Sequence, residues 1–98
     1  MNIDEIKKII NEIAKENGWY GTDSKKPQTP INLAISISVE VAELLECFQW
    51  NEFAEKNRVG EELADIVIFV SQLSNVMGID LSKEVSNKLT INKRRSWD

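Results

Sequence analysis

Between Ile31 and Trp50 the only charged side chains are three glutamates, Glu40, Glu43 and Glu46, set in a segment that reads as one long helix. Its apolar residues Ile31, Leu33, Ala34, Ile35, Ile37, Val39, Val41, Ala42, Leu44, Leu45, Cys47 and Phe48 surround nearly the whole helix circumference. A surface helix of a monomer does not tolerate that pattern. It demands cover on several sides, which predicts an all-α bundle in which a neighbouring subunit supplies part of the cover. A second segment, Gly60 to Gly78, behaves alike: its charged residues are Glu61, Glu62 and Asp65, and neither segment contains Lys or Arg.

The acidic residues fall into two pairs at helical spacing, Glu40-x-x-Glu43 and Glu62-x-x-Asp65. Residues three apart lie on one helix face, so each pair can aim two carboxylates at a common ion. Burying carboxylates without a cation or hydrogen bonds costs several kcal/mol each, by order of magnitude. Acidic residues near the start of the later helix meet a favourable helix dipole, which alone can account for Glu61 and Glu62. Glu40, Glu43 and Glu46 sit in the middle and C-terminal half of theirs, against the dipole, so a bound cation is the better account. Glu46 points further round its helix, where it either supports the ligands from behind or is exposed, and Glu61 is expected to be exposed. With no histidine and one cysteine, the donor set favours Mg²⁺, with Mn²⁺ as the alternative, and Mg²⁺ usually brings phosphates as further ligands.

Four helices are predicted. Ile3, Ile6, Ile9, Ile10 and Ile13 recur every three or four residues and mark an amphipathic helix from Ile3 to Glu16, stopped by Asn17-Gly18. A polar loop follows from Trp19 to Gln28. Thr29 as N-cap and Pro30 at the first helical position open the second helix, expected to run to about Trp50. The third begins between Asn57 and Glu61 and runs to Met77; its Ile66-Val67-Ile68-Phe69-Val70 run resembles a buried strand, but the continuous pattern is too long for one. Gly78 stops it, and Asp80 caps a fourth helix from Leu81 to about Lys93.

Ninety-eight residues make one domain spanning residues 1–98, with a modest core of its own. A net charge of −4 argues against nucleic-acid polymers, which need a basic footprint. No segment has the roughly 18 consecutive apolar residues of a membrane span, and the amino terminus lacks a leader pattern, so a cytoplasmic protein without membrane association is expected. Cys47 reads as a small buried hydrophobe.

Aromatic residues accompany the carboxylates. Trp50 follows Glu43 by seven residues, about 10 Å along a continuous helix, and Phe69 is one turn past Asp65. The pair can sandwich a nucleobase while the carboxylates hold magnesium on the phosphates, although each alone is more often a core residue. Lys88, Asn92 and Arg95, at spacings of four and three, can contact phosphate oxygens or simply form a solvated basic helix end.

Taken together, Thr29-Pro30-Ile31-Asn32-Leu33-Ala34, Glu40-Val41-Ala42-Glu43-Leu44-Leu45-Glu46, Phe48-Gln49-Trp50, Glu62-Leu63-Ala64-Asp65-Ile66 and Gly78-Ile79-Asp80-Leu81 resemble the MazG-like nucleotide pyrophosphohydrolases, and among them the small dCTP pyrophosphatase group. The resemblance implies a four-helix bundle acting as a homodimer or homotetramer, and cleavage of a nucleoside triphosphate to monophosphate and pyrophosphate. It implies Glu40, Glu43, Glu62 and Asp65 as magnesium ligands, with Glu43 taken as the catalytic base. Trp50, Phe69 (where the family often has tyrosine) and Trp19 would contact the base, and Lys88, Asn92 and Arg95 the phosphates. After Arg95 the family usually continues Tyr-Pro, whereas this chain reads Ser96-Trp97. Two other readings stand beside this one. A phosphoribosyl-ATP pyrophosphohydrolase shares the acidic helices, but Phe48-Gln49-Trp50 argues against it; a non-catalytic helical oligomerisation module would use the acidic patch for a basic partner.

Overall fold

A computed structural model describes residues 1–95, so the Ser96-Trp97 departure lies outside the described residues. Four helices follow in order, α1 (Ile3–Glu16), α2 (Pro30–Glu46), α3 (Lys56–Met77) and α4 (Leu81–Arg94), and no strand occurs among the described residues. The local signals act as their chemistry requires. Asn2 and Glu5 form a reciprocal capping box on α1, Thr29 accepts from the Asn32 N–H with Pro30 opening α2, and Asp80 accepts from the Lys83 N–H. Gly78 closes α3 in the left-handed conformation, where the Ile79 N–H reaches back to the Ser74 carbonyl at 2.8 Å.

Helix α2 packs chiefly on α3, α1 lies against α3, and α4 turns away by 110° to rest on α1. Two bonds hold that corner: the Lys7 ammonium donates to the Ile79 carbonyl at 2.7 Å, and the Asn75 amide donates to the Lys7 carbonyl at 2.9 Å. The interior is thin. Ile10, Ala14, Leu33 and Cys47 are its buried apolar residues among those described, joined by Ser71, Gln72 and Ser74 of α3. Ala14 of α1 is fully buried, and the Ser74 hydroxyl donates to the Ser71 carbonyl at 2.6 Å.

The chain exposes 7731 Å². A folded monomer of 11.2 kDa is expected to expose about 5,700 Å², so about 2,000 Å² is in excess. Its radius of gyration of 15.8 Å likewise exceeds the roughly 13 Å of a compact chain of this length. Among the described residues no single helix is long and apolar enough to cross a membrane.

Two boundaries differ from the sequence expectation. Helix α2 ends at Glu46 rather than near Trp50, because residues 47–50 tighten into a turn, with Phe48 N–H on the Leu45 carbonyl and Gln49 N–H on the Glu46 carbonyl. Trp50 takes φ 67°, a left-handed conformation that normally falls to glycine or asparagine. Helix α3 begins at Lys56, slightly earlier than expected, with no acidic residue in its first turn.

Candidate metal and nucleotide site

Glu40 of α2 and Glu62 and Asp65 of α3 each offer a carboxylate oxygen, and the three oxygens lie within 4.8 Å of one another. The antiparallel packing of α2 on α3 brings them together, since both acidic pairs face the shared seam. Glu40 and Glu62 each bury one oxygen, Oε2, with no hydrogen-bond partner. Glu43 stands outside the three-oxygen group, close enough that its carboxylate helps raise both Glu40 and Glu62. Glu61 is exposed, as expected, and Glu46, for which support of the ligands or exposure stood open, is exposed too.

Crowding and burial raise two of these carboxyls. Desolvation, then hydrogen bonding and charge from Glu43, then Glu62 and Asp65, push the Glu40 carboxyl up to about 7. Desolvation also raises Glu62, reinforced by the charges of Glu43 and Asp65 and opposed by its hydrogen bond with Glu40. No basic side chain is among the groups acting on either carboxyl. The dipole explanation for Glu61 and Glu62 loses force as well, because α3 starts at Lys56 and the dipole fades beyond the first turn. Oxygen-only donors, closely set, with two orphaned buried oxygens, fit a hard divalent cation.

The aromatic residues are arranged differently from the sequence expectation. Trp50 lies beyond the end of α2, 95% exposed, so its place on the helix face of Glu43 is lost. Phe69 keeps its place one turn past Asp65 on α3 and is half-buried. Trp19 lines a cleft of about 670 Å³ with Asn11, Lys15, Tyr20, Thr29 and Asn75, at the N-terminal end of α2. Trp19 and Trp50 thus flank opposite ends of a 17-residue helix, about 25 Å long, and cannot meet the same base within one chain.

Lys88 is exposed on α4, Asn92 is half-buried there, and Arg95 follows the end of that helix. Helix α4 packs on α1. One feature escaped the sequence reading. Gln72, buried on α3, donates to the Gln28 side chain at 2.9 Å, and Gln28 donates to the Lys26 carbonyl at 2.8 Å, anchoring the loop beside the Trp19 cleft. Its signal was a long polar side chain within an otherwise apolar stretch of α3.

Residues 35–97 match the MazG-like family. The chain belongs to that family. It is 31% identical over 103 aligned residues to dCTP pyrophosphatase 1 of Homo sapiens, an alignment covering 95% of this chain and 58% of that protein. It is 34% identical over 59 residues to the dATP/dGTP diphosphohydrolase of Cyanophage S-2L, covering 58% of this chain and 54% of that one. The chain therefore spans a little over half the length of these relatives. Among solved structures, a pyrophosphatase from Archaeoglobus fulgidus DSM 4304 superposes with a TM-score of 0.78 at 36% identity, over 97% of this chain and 92% of that one.

Proposed function

We propose that this MazG-like chain is a Mg²⁺-dependent nucleoside triphosphate diphosphatase, hydrolysing a (d)NTP to (d)NMP and pyrophosphate. The observation that carries the reading is the three-carboxylate group of Glu40, Glu62 and Asp65 with its orphaned buried oxygens. The pyrophosphatase and diphosphohydrolase relatives support the reaction class. Mn²⁺ is the alternative metal.

Glu40, Glu62 and Asp65 hold the cation. Bound there, it supplies charge neutralisation for the triphosphate and a more acidic water. Glu43, at the edge of the group, accepts the proton of the attacking water; no histidine is present to compete for that role. Attack at the α-phosphorus expels pyrophosphate, whose charge Lys88 and Arg95 stabilise while Asn92 orients an oxygen. Trp19 and Phe69 of one chain hold the base, with Trp50 supplied by a neighbouring subunit.

The working unit is a homodimer or homotetramer. An excess of about 2,000 Å² compares with about 800 Å² per partner in a standard interface and more in obligate ones. The test is product analysis with each common NTP and dNTP, with and without Mg²⁺. Magnesium-dependent monophosphate and pyrophosphate are expected; diphosphate and phosphate, or no turnover of any nucleotide, contradicts the proposal.

A further inference from the structure

The cleft of about 670 Å³ beside Trp19 carries a polar pattern that the reaction alone does not explain. Trp19 and Tyr20 are 37% and 41% exposed there and give it an aromatic wall of the kind on which a base stacks. The cleft sits about 15 Å from the carboxylates along either helix, ten residues from Pro30 to Glu40 and ten from Asp65 to Asn75. A nucleoside triphosphate lying along the seam of α2 and α3 thus brings its phosphates to the acidic group and its base to the cleft.

The polar side chains lining the cleft differ in what they have left to offer. The Gln28 amide oxygen already accepts from Gln72 at 2.9 Å, while its nitrogen gives one hydrogen to the Lys26 carbonyl at 2.8 Å and keeps a second. The Asn11 oxygen accepts from the Tyr20 hydroxyl at 3.4 Å, which leaves both amide hydrogens. The Thr29 oxygen accepts from the Asn32 N–H at 3.3 Å, which leaves the hydroxyl hydrogen. Lys15, the one charged side chain among the described residues of the lining, pairs with no carboxylate among them and has donors alone. Asn75 is the exception, because its nitrogen donates to the Lys7 carbonyl at 2.9 Å and its oxygen is the free end.

Free donors therefore dominate, and one of them is charged. Uracil, thymine, guanine and hypoxanthine present a carbonyl oxygen beside a ring N–H, an acceptor for these donors and a donor for Asn75. Cytosine and adenine present an exocyclic amine instead, whose hydrogens face Lys15 and the amide nitrogens. A donor set against a donor leaves both unpaired in a site that the base itself desolvates. We propose that the Trp19 cleft selects nucleotides with an oxo base over those with an amino base, with Lys15 as the specificity-determining side chain. The proposal rests on the nucleotide reading above and names its substrate class. It sets this chain apart from the human relative, which is named for dCTP.

Two matched pairs of nucleotides test it, dUTP with dCTP and dITP with dATP. Their kcat/KM values are measured with Mg²⁺ for the wild type and for Lys15→Met, which keeps an unbranched stem and removes the charge. The wild type should favour the oxo member of each pair by about tenfold, and Lys15→Met should bring the ratio close to one. A wild-type ratio near one, or a preference for the amino member, overturns the proposal and leaves the diphosphatase reading standing. An equal loss on both members in Lys15→Met also overturns it, since that is the mark of a phosphate contact. Calorimetric binding of dUMP and dCMP without metal reads the cleft independently of turnover. Tighter binding of dUMP, lost in Lys15→Met, is expected, and equal binding of the two contradicts the proposal. That dUMP preference in a protein that hydrolyses no nucleotide would uphold the cleft's selectivity and condemn the hydrolase reading instead.

Discussion

The inner and outer faces of α2 solve opposite problems with similar material. The inner face buries Leu33 and turns Glu40 into the seam with α3, where the chain itself supplies the packing but no positive charge. The outer face lacks charge along its stripe and leaves Ile31, Ile35 and Leu45 in solvent, where the chain supplies no packing. One face gathers carboxylates without a basic side chain, and the other gathers apolar side chains without cover from the chain itself.

The strongest way to break the comparison is on the inner side. Glu40→Gln or Glu62→Gln should lower nucleotide turnover by on the order of 10³-fold, the several kcal/mol expected when a metal's charge stabilisation is lost. Circular dichroism and sedimentation should show the fold and assembly retained, so near-normal turnover by either variant contradicts the assignment. On the outer side, Ile35→Asp places a charge on the exposed apolar face, where an unpaired charge buried against a second subunit costs several kcal/mol. Sedimentation should then show monomers at micromolar concentration. Unchanged assembly would move the interface elsewhere.

The cation's part is sharpened by pH. Because the folded Glu40 carboxyl lies at about 7, above its ordinary 4.5, the folded chain binds more protons than the unfolded chain between those values. Its contribution to stability is full below about 4.5 and lost as pH rises through 7. Without metal, Tm should fall from pH 5 to pH 8. Mg²⁺ competes with that proton, so its stabilising effect should grow over the same interval, reaching about 2.7 kcal/mol at a hundred times its dissociation constant. A metal effect that shrinks with rising pH speaks against Glu40 as a ligand.

The smallest expected effect concerns Trp50. Trp50→Gly relieves the left-handed backbone and should be more stable than Trp50→Ala by about 1 kcal/mol in chemical denaturation. Both should raise KM through loss of the ring. Equal stabilities would show that the turn does not impose the strained conformation.

What was legible in the sequence was mainly local. Thr29, Pro30, Gly78 and Asp80 act on backbone groups within a few residues, so their types alone announced the helix ends. The helical spacing of the carboxylates likewise foretold which faces they occupy, and the seam joining Glu40 to Glu62 and Asp65 followed from packing those faces together. Trp50 was misplaced on the helix because a left-handed tryptophan carries no local sign; only the turn's own hydrogen bonds reveal it. The Lys7–Ile79 and Gln72–Gln28 bonds join residues far apart in sequence, so their pairing required the fold.

The most direct test of the central claim is hydrolysis in ¹⁸O-labelled water by the wild-type protein and by Glu40→Gln, each with and without Mg²⁺, followed by mass analysis of the products. Attack at the α-phosphorus predicts label in the nucleoside monophosphate, none in pyrophosphate, and formation only by the wild type with metal. Label in pyrophosphate or phosphate, or equal rates without Mg²⁺ or in Glu40→Gln, would contradict it.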